Sequence, residues 1–147
     1  MSDLYNADFD RWTLEQVALL KAHRFEELDI ENLLEEIEDL SKRDRQALRS
    51  HLEVLLLHLL KRRCQPGHKS NSWLNSIDTA RSNLDDLLTA SPSLRRYLAD
   101  RIEPAYTGAR KTALKQAERH GLSSLYRTAP GSCPWTVEQL LDEDFYG

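Results

Sequence analysis

The chain has 147 residues, a formal net charge of −4 at pH 7 and 40% hydrophobic residues. This length and composition suit a single core, so we expect one helical domain over residues 1–147. No stretch approaches the roughly 20 apolar residues of a membrane span, and the acidic start lacks the pattern of a signal peptide. The sequence therefore indicates a cytoplasmic protein without a membrane association.

The chain contains two cysteines, Cys64 and Cys133, and they lack a Cys-x-x-Cys spacing. This pattern suits two free thiols in a reducing compartment, and spacing alone leaves a disulfide between them open. Cys64 has no identified base, and Cys133 lies in an expected turn. We therefore expect neither redox nor nucleophilic chemistry from these thiols.

Charge is strongly segregated along the chain. Residues 1–41 carry 12 acidic and 3 basic side chains, whereas residues 42–63 carry 7 basic and 2 acidic ones. Residues 92–120 repeat the basic bias, with 7 basic and 3 acidic side chains. We expect an acidic region to pair with basic helices, either within one chain or across a subunit contact.

Helix signals recur from the start of the chain, and strand signals do not. Thr13 and Gln16 form a capping-box pattern, and Trp12 and Val17 are placed as a hydrophobic staple. This combination predicts a helix that begins at Thr13 and runs to about His23.

Two further helices are expected in the middle of the chain. Asp29 is the expected cap of a helix over residues 30–40, in which apolar residues recur at helical spacing. Ser41 is the expected cap of a long central helix, residues 42–63. Its second half is almost wholly apolar, so we expect burial on more than one side, and a turn at Pro66-Gly67 should follow it.

The second half of the chain continues the helical pattern, with a fourth helix marked by apolar residues from Trp73 onward. Ser91-Pro92 predicts the start of a fifth helix, which Pro104 either kinks or splits and Gly121 ends. Thr136 is the expected cap of a short last helix.

These elements predict an all-α fold. We expect a single-domain helical bundle of about five to six helices around a buried central helix, residues 42–63, plus a short C-terminal helix.

The central helix carries two histidines, His51 and His58. They are seven residues apart, which places them about 10 Å apart on one stripe, too far to share one metal ion easily. Glu36 or Glu38 on the preceding helix is a possible hydrogen-bond partner for either imidazole. A buried structural histidine and a proton-transfer or ligand-binding role both fit this pattern, and we expect no metal site.

A basic cluster follows at the end of the same helix. It comprises Lys61, Arg62, Arg63, His68 and Lys69, which are suited to hold a phosphate or a carboxylate. The alternative is a solvated face, because cations in the last turn of a helix gain about 0.3–1 kcal/mol from the helix dipole. We do not expect nucleic-acid binding, since the chain is net acidic and no recognition motif is present.

Established catalytic motifs are missing from the sequence. It contains no Glu-x-x-His, no glycine-rich phosphate loop, no nucleophile elbow and no His-Glu-x-x-His. Catalytic residues therefore stay unknown at this point, and no cofactor is indicated.

A series of short motifs spans nearly the whole chain. They are Tyr5-x-x-Asp8-Phe9, Glu35-Glu-Ile-Glu38, His58-Leu-Leu-Lys61, Gln65-Pro66, Ser72-Trp73, Ser91-Pro-Ser-Leu94, Tyr106, Cys133-Pro134 and Asp144-Phe-Tyr146. In this order they resemble domain-of-unknown-function family 29, small proteins of cyanobacteria and other bacteria. The resemblance implies an all-helical fold without an established activity.

The resemblance also suggests that a group of polar residues converges on one pocket. These are Glu36, His58, Lys61, Gln65, Ser72, Trp73 and Arg81. In an enzyme, Glu36 would orient or deprotonate His58. Lys61 and Arg81 would hold an anionic group, while Trp73 would exclude water. In the alternative, the same residues form a structural hydrogen-bond network.

Two classes of function follow from these observations. We favour a protein-interaction or self-association module whose partner is another copy or another small bacterial protein, with specificity from charge complementarity. The alternative is an enzyme or a small-anion-binding protein that uses a polar pocket around His58, Lys61 and Arg81.

Overall fold

The computed structural model describes residues 3–68 and 70–147, and all regular structure in these ranges is helical. The seven α-helices there are α1 Leu4–Ala7, α2 Phe9–Lys21, α3 Ile30–Cys64, α4 Asn71–Ala90, α5 Leu94–Arg119, α6 Ser123–Tyr126 and α7 Val137–Leu141. A 3₁₀ helix spans Phe25–Glu27. The all-α prediction is confirmed. None of the helices in the described ranges is long and apolar enough to cross a membrane.

The chain divides into two compact units, Met1–Arg43 and Asp44–Gly147, which we call the first and the second unit. Helix α3 contributes residues to both. A single domain over residues 1–147 stays a prediction.

The predicted helix boundary at Ser41 is wrong, because α3 continues through it as one 35-residue helix. The residues that follow Ser41 are mostly Lys, Arg, Gln and Ala, which have high helix propensity. Ser41 could cap a new helix, but the residues around it favour one continuous helix.

The core of the second unit lies on α3, which packs against α4 and α5. Six leucines of α3 have no solvent exposure: Leu48, Leu52, Leu55, Leu56, Leu59 and Leu60. At 100° per residue they occupy one stripe about 140° wide. The central helix is thus buried as predicted, but on one broad face and not on several, since Glu53 and Val54 are exposed.

Helix α5 contacts this leucine face through small side chains. Ala105, Ala109, Ala113 and Ala117 are buried and recur every four residues. Residues at this spacing lie on one face of the helix, so these alanines form a single buried stripe. Pro104 does not split α5, because Pro104 itself is exposed and the buried stripe continues on both sides of it.

The end of α5 confirms the predicted stop at Gly121, which has a φ of +70°. The amide of Leu122 donates to the carbonyl of Ala117 at 2.8 Å, and the amide of Gly121 donates to that of Glu118 at 3.4 Å. These two bonds form a Schellman motif, in which a glycine adopts the left-handed conformation at no steric cost.

Three predicted helix starts have different outcomes. Helix α2 begins at Phe9 and is capped by Asp8, so Thr13 lies inside it and its hydroxyl donates to the carbonyl of Phe9. Helix α5 begins at Leu94, two residues after the predicted proline position. The cap at Thr136 is confirmed, with a complete capping box to Gln139.

The first unit is held by a polar network around Asp29. The indole nitrogen of Trp12 donates to Asp29 Oδ2 at 3.0 Å, and the backbone amide of Asp29 donates to Gln16 Oε1 at 2.8 Å. Asp29 also accepts bonds from Asn32 and caps α3, as predicted. Trp12 and Gln16 are buried, so this network joins α2 to the start of α3.

We expect Asp29→Ala to loosen the first unit, because it removes the acceptor of the Trp12 indole and the cap of α3. The hydrogen bonds from Asn32 and Trp12 lower the pKa of Asp29. Its stabilising contribution is therefore present above the ordinary pKa of 3.8 and is lost as pH falls through the lowered value. In the Asp29→Ala variant, faster exchange of the Trp12 indole proton in NMR spectra would report the loosening of the first unit. Glu15→Ala, which removes an exposed carboxylate of α2, should leave that proton protected.

A second prediction concerns Gly108 on α5. A Cβ placed there lies 2.9 Å from Glu53 Oε1, the mobile end of an exposed side chain. Alanine in a helix interior gains about 1 kcal/mol over glycine. We therefore expect Gly108→Ala to stabilise the protein by about that amount in a Glu53→Ala background, and by less when Glu53 must move aside. Urea unfolding of the four variants of this cycle measures both values. Destabilisation in the Glu53→Ala background would mean that the helices are too close for any methyl group.

Candidate functional site

His58 is half-buried on α3 and is satisfied within its own helix. Its Nδ1 lies 2.8 Å from the carbonyl oxygen of Val54, which can only accept, so Nδ1 carries the proton. Burial lowers the pKa of His58, the bond to Val54 opposes this, and the charge of Lys61 lowers it further. These effects favour a neutral imidazole.

Lys61 and Trp73, two residues of the predicted pocket, meet between α3 and α4. The Lys61 ammonium lies 5.7 Å from the centroid of the Trp73 ring, and the His68 ring lies 4.3 Å from it on a tilted plane. Burial lowers the pKa of Lys61. Trp73 thus contacts two cationic or titratable side chains, a cation–π arrangement worth about 0.5–2 kcal/mol.

Gln65 and Ser72 make separate contacts in the second unit. The Gln65 amide donates a hydrogen bond to the hydroxyl of Tyr126. Ser72 lies in the first turn of α4 and lines a cavity of about 440 Å³ together with His51. The cavity also exposes hydroxyl and amide side chains of α4. Sequence reasoning had left a structural and a ligand-binding role open for His51.

Glu36 belongs to the first unit, where its Oε1 accepts a hydrogen bond of 2.6 Å from the Tyr5 hydroxyl. This bond raises the pKa of Tyr5 to about 12. Because α3 is continuous, Glu36 and His58 lie 22 residues apart on one helix and not on two neighbouring helices. The pairing of Glu36 with His58 had been expected from the wrong helix boundary.

Arg81 is the most deeply buried cation of the predicted pocket, with 5% of its surface exposed. Its Nε donates to the carbonyl oxygen of Leu140 at 2.7 Å, whereas Nη1 and Nη2 have no hydrogen-bond partner among the described residues. Burial lowers its pKa, and Tyr146 and Asp78 oppose this. It borders a cavity of about 770 Å³ that neither His58 nor Lys61 lines.

Sequence reasoning missed the role of Tyr146, which it used only as a family motif. The Tyr146 hydroxyl donates to Asp78 at 2.6 Å, and its carbonyl accepts from Arg62 Nε at 2.9 Å. The guanidinium carbons of Arg62 and Arg81 each lie 5.9 Å from the centroid of its ring. An aromatic residue among acids near the end of the chain was the only available signal.

The predicted pocket residues therefore fall into several contacts. Lys61 meets Trp73, Gln65 meets Tyr126, and Arg81 meets the end of the chain. The convergence of all seven residues on one ligand stays a prediction.

Metal and thiol chemistry receive no support from the described residues. They contain no group of three or more His, Cys, Asp or Glu side chains placed to hold a metal ion. Cys64 and Cys133 are free thiols, and burial raises the pKa of both. A raised pKa lowers the thiolate fraction and hence the nucleophilicity of each thiol.

The most unusual surface lies on the first unit. Nine of the eleven large hydrophobic residues that are exposed in the described ranges belong to it: Phe9, Leu14, Val17, Leu20, Phe25, Ile30, Leu34, Ile37 and Leu40. They are 40–64% exposed. Ile30, Leu34 and Ile37 share one stripe of α3, which sequence reasoning had expected to face a core.

Comparison with known proteins identifies a family. The family model described as "Domain of unknown function DUF29" matches residues 4–146, so the chain belongs to this family. Searches of curated proteins and of solved structures gave no match.

The environment of His58 leads to a pH prediction. Its pKa is lowered in the folded protein, so the unfolded chain binds the proton more readily. Stability from the neutral imidazole is present above the ordinary pKa of 6.5 and is lost as pH falls through the lowered value. We expect His58→Gln to reduce the loss of unfolding free energy between pH 7 and pH 5, measured by urea titration. His120→Gln, at an exposed position, is the matched control and should leave the loss unchanged.

Proposed function

We propose that this DUF29 protein is an interaction module whose first unit binds a basic, amphipathic helix of another protein. The observation that carries the proposal is the group of nine exposed hydrophobic side chains on that unit. Exposed apolar surface of this kind marks interaction sites in folded proteins. We place the module in the bacterial cytoplasm, a setting that suits its two free thiols.

Charge complementarity indicates the chemistry of the partner. The first unit, residues 1–43, has 12 acidic and 5 basic side chains. A helix with Leu or Ile on one face and Lys or Arg on the other would cover the apolar side chains and neutralise the surrounding acids. One amphipathic helix would therefore contact both the exposed hydrophobic side chains and the acidic side chains of the first unit.

Self-association through the same face is less favourable. A symmetric dimer would place two acidic surfaces against each other, and like charges across an interface are repulsive. Pairing of the acidic unit with the basic helices of a second copy would use the second unit, where Val54 and Leu125 are the only exposed large hydrophobic residues in the described ranges. These considerations favour a different protein as the partner.

A binding experiment with a designed probe tests the proposal. The probe is a fluorescein-labelled 18-residue peptide with Leu on one helical face and Lys on the other, followed by fluorescence anisotropy. We expect saturable binding that weakens with salt. A peptide with Glu in place of Lys and one with Ser in place of Leu should not bind.

Variants locate the binding surface. Leu34→Asp with Ile37→Asp should weaken peptide binding at least about tenfold, because each buried aliphatic side chain contributes about 1.5–3 kcal/mol. Leu125→Asp is the matched control, since Leu125 is 44% exposed in the second unit. An equal loss of peptide affinity in the Leu34/Ile37 and Leu125 variants would refute the proposal. The absence of peptide binding to the unsubstituted protein would refute it as well. Light scattering tests for a dimer. If the protein forms a dimer and only the Leu34/Ile37 variant abolishes it, the occupant is a second copy and the proposal is also refuted.

The alternative, an enzyme or small-anion-binding protein that uses His58, Lys61 and Arg81, is favoured by one observation. Two buried nitrogens of Arg81 have no acceptor among the described residues. A buried cation without partners is costly, and an anionic ligand would supply them. His58 and Lys61, however, already have contacts of their own in the second unit.

A further inference from the structure

A third cavity, of about 360 Å³, is lined by residues from the end of α3 and from the last residues of the chain. Its lining includes Arg62, Arg63 and His68 together with the aromatic residues Trp135 and Tyr146. No acidic side chain belongs to this lining. The volume is at the lower end of the roughly 300–1,000 Å³ of small-molecule sites, so the cavity suits a small ligand.

Arg62 is held in place at the edge of this cavity. Its Nε donates to the carbonyl oxygen of Tyr146 at 2.9 Å, and its guanidinium lies near the face of the Tyr146 ring. A guanidinium fixed by one nitrogen loses less side-chain entropy when its remaining nitrogens bind an anion. This arginine is thus oriented before any ligand arrives.

The cationic side chains of the cavity take part in no ion pair among the described residues. The ion pairs formed by the described residues include neither Arg62, Arg63 nor His68. Arg63 is exposed, and its charge also lowers the pKa of Cys64 against the effect of burial. In a chain whose net charge is −4, a cavity lined by two arginines that form no ion pair with any described residue is a distinct positive site.

The helix dipole explains cations at a helix end but not this cavity. Arg119 provides the comparison, because it lies in the last turn of α5 and does not line the cavity. What distinguishes Arg62 and Arg63 is the enclosure by Trp135 and Tyr146.

We propose that this cavity binds a small phosphate monoester through Arg62 and Arg63. Two guanidinium groups match the charge and the several acceptor oxygens of a phosphate better than the single charge of a carboxylate. His68 adds a further donor. This site lies in the second unit, and its occupancy does not depend on the peptide-binding surface of the first.

An NMR titration of the full chain tests the proposal. The probes are inorganic phosphate and glycerol 3-phosphate, and the controls are acetate and sodium chloride at matched ionic strength. We expect saturable shifts of the amides at residues 62–65, 67 and 68 and of the Trp135 indole with both phosphate probes, and none that saturate with the controls. Shifts that do not saturate, or an equal response to acetate, would overturn the proposal.

Substitutions separate a specific site from general charge effects. Arg63→Gln should weaken binding of glycerol 3-phosphate at least about tenfold, because it removes charge-assisted hydrogen bonds. Arg119→Gln is the matched control and should leave affinity unchanged. Equal weakening by both substitutions would overturn the proposal. If Arg63→Gln disturbs folding, Arg63→Lys keeps the charge but loses the planar donor pair, and we expect it to weaken binding severalfold. Unchanged affinity in Arg63→Lys would refute a role for the guanidinium.

Discussion

The leucine face of α3 is the constraint on which the second unit depends. Its six leucines are fully buried, and complete burial of a leucine contributes about 1.5–3 kcal/mol. This face fixes the rotation of the helix about its axis and therefore the position of every polar residue on it. His58 lies about 60° outside the stripe and Lys61 about 100° outside it, and both are half-buried, Lys61 beside Trp73 of α4. Their lowered pKa values follow from this placement.

The first unit depends on polar contacts to a much greater extent. Its buried residues in the described part are Trp12 and Gln16, and both bind Asp29. A unit of about 40 residues buries a smaller fraction of its surface than a larger domain does. Hydrogen bonds with fixed geometry can orient α2 and the start of α3, but they leave aliphatic side chains such as Leu34 and Ile37 in water. The cost of that exposure is the physical reason to expect a ligand there.

The sequence predicted what local spacing determines and failed where distant contacts decide. Apolar periodicity predicted the helices and the burial of the leucines of α3, but not the exposure of Ile30, Leu34 and Ile37. Glycine chemistry predicted the stop at Gly121. Ser41 was misread because a cap signal cannot show whether the neighbouring residues prefer one long helix. The contacts of Gln65 with Tyr126 and of Arg62 with Tyr146 join residues 61 and 84 positions apart. Helical spacing patterns relate only residues that are close in sequence. The sequence therefore predicted the candidate site only in part.

Tyr146 connects the two cation sites of the second unit. Its ring lies near the guanidinium groups of both Arg62 and Arg81, while its hydroxyl is fixed by Asp78. Because Arg62 both holds the Tyr146 carbonyl and lines the 360 Å³ cavity, an anion in that cavity and the docking of the chain end act on the same side chain. Binding and docking are then thermodynamically linked, and each changes the free energy of the other by the same amount. Because Tyr146 holds Arg62 through Nε and leaves the other guanidinium nitrogens for the anion, the coupling is positive and each event favours the other.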